Sequence, residues 1–145
     1  MNDPSQNADL YARHVRFGWW SLLVFLSVGI ALEGLHALKL ELYLAPANET
    51  RRLLWTLAHA HGTLLAILNL VFGVLSRDML DGSSRRVVLA SRCFLGATLL
   101  IPAGFFLGGV TFYEGDPSLG VLLVPPGAVL LLVAVLVCAL DSSSP

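Results

Sequence analysis

Charge is what this chain has least of. Only 13% of its 145 residues are Asp, Glu, Lys or Arg, against 56% hydrophobic residues and a mean hydropathy of +0.75. A soluble domain of similar size carries roughly 25% charged and 45–50% apolar residues. The few charges sit in the gaps between long apolar runs, which excludes an ordinary water-soluble globule. Cysteine is scarce as well. Cys93 and Cys138 both lie inside apolar runs and supply neither a disulfide framework nor a metal-ligand spacing. A net charge of -1 argues against nucleic acid as a partner. The chain has no P-loop, no Gly-x-Gly-x-x-Gly, no Cys-x-x-Cys and no nucleophile–base arrangement, so an enzyme is not indicated.

What is there is four apolar segments, at residues 17–38, 53–75, 87–112 and 119–140. Each satisfies the spanning criterion of about 20 mostly apolar residues. The pattern predicts an all-α polytopic membrane protein, an antiparallel four-transmembrane-helix bundle at 17–140, with tails at 1–16 and 141–145. The first segment is too long for a signal peptide, whose apolar region runs to about 15 residues, and it is expected to be retained. Arg13, Arg16, Arg77, Arg85 and Arg86 fall on one side of the spans; Lys39, Arg51 and Arg52 fall on the other. By the positive-inside rule both termini are expected in the cytoplasm, with the chain in the cytoplasmic membrane. Arg92, just inside the third span, is expected to snorkel to the headgroups.

Two local patterns bear on packing. Pro125-Pro126-Gly127 implies that the fourth span either kinks there or truly begins there after a short outer turn. Gly104 and Gly108 form a small-xxx-small pair, which points to close packing within the bundle or to a homo-oligomer or membrane-protein partner.

The informative residues are the polar ones an apolar span should lack. Glu33 and His36, three apart near the outer end of the first span, share a helix face. His59 and His61 lie in the second span, but residues two apart on a helix point about 200° away from each other. His59 shares its stripe with Gly62, Thr63, Ala66, Asn69 and Gly73; His61 shares a bulkier one with Leu65, Leu68 and Phe72. The expected interior cluster is therefore Glu33, His36 and His59, with Asn69 deeper, and His14 lies outside the membrane. Three readings are open: polar glue between helices, a haem or transition-metal site on Glu33, His36, His59 and His61, or a proton path.

The segment His59-Ala60-His61-Gly62-Thr63-Leu64-Leu65 resembles the His-Ala-His helix start of short bacterial membrane proteins related to subunit I of haem–copper oxidases. That resemblance implies haem or copper on histidines such as His36 and His59. It covers one helix of four, and this chain has four histidines where a full oxidase subunit has six ligand histidines. The longer stretch from Trp55 to Gly62 also resembles small uncharacterised bacterial four-helix membrane proteins, which implies the fold and no activity. The expected function is a non-enzymatic membrane protein, a subunit or accessory of a larger complex in the lipid bilayer. The alternative is a small transporter or proton-linked permeation protein.

Overall fold

The structure, a computed structural model, describes residues 4–78, 84–113 and 115–142. Its main elements are α1 (Pro4–Ala37), α2 (Glu41–Leu44), α3 (Glu49–Asp78), α4 (Arg85–Gly108) and α5 (Val124–Ser142). A two-residue hairpin, β1 (Phe112–Tyr113) with β2 (Asp116–Pro117), and a 3-10 turn (Leu119–Leu123) join α4 to α5. Four helical stretches are long and apolar enough to cross a membrane: Ser5–Ala37, Pro46–Arg77, Arg85–Gly108 and Leu119–Asp141.

The helices contact one another in chain order: α1 on α3, α3 on α4, and α4 on α5. Buried positions follow that order. They make up 56% of the apolar window of α4 and 39% of that of α3, but 6% in α1 and 11% in α5, so the middle pair is the core. Leu10, Phe72, Val87, Ala90, Cys93, Phe94 and Ala134 form one buried cluster; Leu65, Ala97 and Ile101 form a second.

Glycines set the closest approaches. On the α1–α3 face, Gly18 receives Leu70 and Gly62 receives the Phe25 ring, while Gly29 lies under His59 and Gly73 against His14 and Val15. Those pairs run in opposite directions along the two chains, so the helices are antiparallel. Gly104 and Gly108 are buried against the fourth span: a methyl group at Gly104 would lie 2.8 Å from Val124 Cγ2, and one at Gly108 3.4 Å from Val121 Cβ. This small surface packs within the chain.

Three boundaries differ from the sequence reading, each for a physical reason. The first helix starts at Pro4 rather than near 17, because residues 5–16 contain no helix breaker and place Leu10 and His14 on the stripe that packs inward. The third helix stops at Gly108, where the chain turns into the hairpin. The fourth begins at Val124, with Pro125 and Pro126 in its first turn, where a missing backbone N–H leaves no helical bond unmade. The expected tails reduce accordingly: residues 4–16, 141 and 142 are helical, and residues 1–3 and 143–145 lie outside the described residues.

Arginines tie the outer end together. Arg51 donates from Nε to Gly109 O, from Nη1 to Leu42 O and Asn48 Oδ1, and from Nη2 to Val110 O, all at 3.2 Å. Its guanidinium lies 5.6 Å from the Trp55 ring centre and 5.1 Å from that of Phe112. Arg52 Nη1 donates to Tyr43 O and Ala45 O. At the opposite end Arg77 lies over Tyr11, and Arg92 is exposed beside the first turns of α1.

Candidate functional site: an outer cleft and an inner polar network

Helical spacing assembles the outer site. Gly29, Glu33 and His36 recur every three or four residues on α1, and Glu49, Arg52, Thr56 and His59 do the same on α3. The two faces meet around a cleft of about 750 Å³, with Tyr43 of α2 at its outer end. Glu33, His36 and His59, singled out from the sequence, all line this cleft. Glu49, Arg52, Thr56 and Tyr43 were missed, although the first three share the helical stripe of His59. Leu26 and Ile30 make the deeper wall apolar.

His59 is held from behind. Its Nδ1 lies 2.8 Å from Phe25 O, and since a carbonyl only accepts, Nδ1 carries the proton and Nε2 is left as an acceptor. The ring fits because Gly29 has no side chain; a methyl there would lie 2.8 Å from Nδ1. His36 is exposed at the outer end and packs edge-on to Tyr43, ring centres 5.9 Å apart. His61 belongs elsewhere. It donates from Nδ1 to Leu57 O and rests on Phe105 of α4, ring centres 5.0 Å apart. Both stripes of α3 are thus interior, one against α1 and one against α4, because α3 is a central helix.

The four residues expected to hold a haem or metal are divided: Glu33, His36 and His59 line the cleft, and His61 faces α4. Among the described residues, no three His, Cys, Asp or Glu side chains converge to hold an ion. The His59 ring packs directly on Gly29. His36 lies seven residues further along α1 than Gly29, about 10 Å of rise.

The most completely buried polar site is one the sequence reading placed outside the membrane. His14 is 0% exposed. Its Nδ1 lies 2.8 Å from Asn69 Oδ1 and its Nε2 2.7 Å from Ser91 Oγ. Asn69 in turn donates from Nδ2 to Leu65 O and Thr98 Oγ1, and Thr98 donates to Phe94 O. The roles follow: Asn69 Oδ1 must accept, so His14 carries its proton on Nδ1 and accepts from the Ser91 hydroxyl at Nε2. Every polar atom of the set has a partner, and the set links α1, α3 and α4. The edge of the ring also rests on Phe72, centres 4.7 Å apart. The available signal was spacing: Leu10, His14 and Gly18 continue the inward stripe of α1 one turn at a time.

Comparison with protein-family models, with curated proteins and with solved structures returns no match.

Proposed function

We propose that the chain is a four-span integral membrane protein that binds a ligand in its outer cleft rather than transforming one, and serves as a subunit or accessory of a membrane complex. One observation carries the membrane part. Large apolar side chains face outward, among them Leu132 at 68%, Trp20 at 64% and Leu64 at 55% exposure, while His14, Asn69, Ser76, Ser91 and Thr98 are all buried. Water as solvent would make that arrangement costly, whereas lipid favours it. Antiparallel packing of successive spans gives a bundle with both ends on one face, and the arginines at 13, 16, 77, 85 and 86 favour the cytoplasm for that face. Arg51 and Arg52 are engaged with outer-loop carbonyls. The inner half supports binding over transport: its polar groups bond to one another in a packed network.

The test is fractionation followed by topology mapping. The full chain is expected to resist alkaline carbonate extraction. Single cysteines at Ser5 and at Ala47, in a background with Cys93 and Cys138 replaced by Ala, are expected to label from the cytoplasmic and the outer side respectively. Extraction by carbonate, or labelling of both positions from one side, would sink the reading.

A further inference from the structure

The outer cleft carries two carboxylates against one guanidinium, and that imbalance points to a class of ligand. Glu33 on α1 and Glu49 on α3 supply two carboxylates, and His59 adds Nε2 because its Nδ1 is committed to Phe25 O. Against them stand one guanidinium, Arg52, whose Nη1 is already shared between Tyr43 O and Ala45 O, and the His36 imidazole, which packs edge-on to Tyr43. Glu33 has no hydrogen-bond or ion-pair partner among the described residues. It sits four residues before the end of α1, about 6 Å along the axis, where a carboxylate in a bilayer calls for a counter-charge. One turn deeper the wall becomes Leu26 and Ile30.

We infer that the cleft takes a singly positive amphiphile, a primary or secondary ammonium held by Glu33, with its apolar body against Leu26 and Ile30. This rests on the membrane reading above. Thr56 Oγ1 and His59 Nε2 are the acceptors available for further N–H groups, and Glu49 adds a second negative charge toward the mouth. An anionic amphiphile of the same length meets two carboxylates and is rejected.

The experiment uses the full-length protein in phosphatidylcholine nanodiscs, titrated calorimetrically with n-octylammonium, n-octanoate and n-octanol against empty nanodiscs. Saturable binding of the ammonium is expected, with none for octanoate and weaker binding for octanol. Glu33→Gln should weaken the ammonium roughly tenfold or more, the loss expected for a charge-assisted contact, while Glu33→Asp retains most of it. Glu33 makes no polar contact with the described chain, so its Gln variant is expected to unfold at the wild-type temperature; if it does not, Glu49→Gln is read in its place. Equal binding of octylammonium and octanoate, an unchanged affinity in the Gln variant, or no saturable binding of any probe would overturn the inference. A chain that stays in carbonate-washed membranes yet prefers octanoate loses only the ligand class, whereas a chain released by carbonate loses the membrane reading itself.

Discussion

Replacing His14 by Ala would remove a side chain of α1 that bonds to both central helices. Asn69 Oδ1 and the Ser91 hydroxyl would lose their partners inside the packed core. A buried polar group left without a partner costs about 1–3 kcal/mol, and interhelical bonds in membranes lie toward the low end. Thermal unfolding in detergent should therefore show His14→Ala destabilised by about 1–3 kcal/mol, with His36→Ala, at an exposed position, close to wild type. Equal stability of the two variants would mean the network contributes nothing. Lys39 offers the opposite case. It holds φ 52° just past α1, with its N–H on His36 O and the Leu40 N–H on Leu35 O, a helix stop that normally uses glycine. Lys39→Gly should raise stability by up to about 1 kcal/mol by relieving the left-handed backbone.

Among the helices, α1 shows what a sequence can and cannot disclose. Its apolar half was legible from hydropathy alone, because a run of that length has few other uses. Its first 13 residues read as a tail because they are polar, and hydropathy does not register that Leu10 and His14 fall on the packed side. The cleft was half legible for a related reason. Glu33, His36 and His59 stand out against apolar neighbours, whereas Glu49 and Arg52 sit at a helix start, where charge is ordinary. The break before α5 was legible as a choice of two structures, and the start at Val124 is the one that leaves both prolines in the first turn. Gly104 and Gly108 were visible as a packing motif, but which helix they pack against depends on the fold of the loop after α4.

For the molecule as a whole, the serial contacts create a gradient from a crowded centre to thin edges. Ala97 on α4 is 0% exposed, between α3 and α5, while Leu132 on α5 is 68% exposed. Ala97→Leu should cost about 1–3 kcal/mol by overpacking, and Leu132→Ala should stay within about 0.5 kcal/mol. Equal effects would contradict the gradient, and chemical unfolding of both variants in one detergent decides it. The network around His14 also imposes an order on biosynthesis. Asn69 and Ser91 leave the ribosome 55 and 77 residues after His14, so in the proposed membrane setting α1 is made before its histidine has anything to bond. The apolar run begins only at Phe17, so in the proposed orientation His14 can wait in cytoplasmic water while α3 and α4 are made. Once α4 is made, the start of α1 can pack inward, so the network closes only after Ser91, 77 residues later in the chain, is in place.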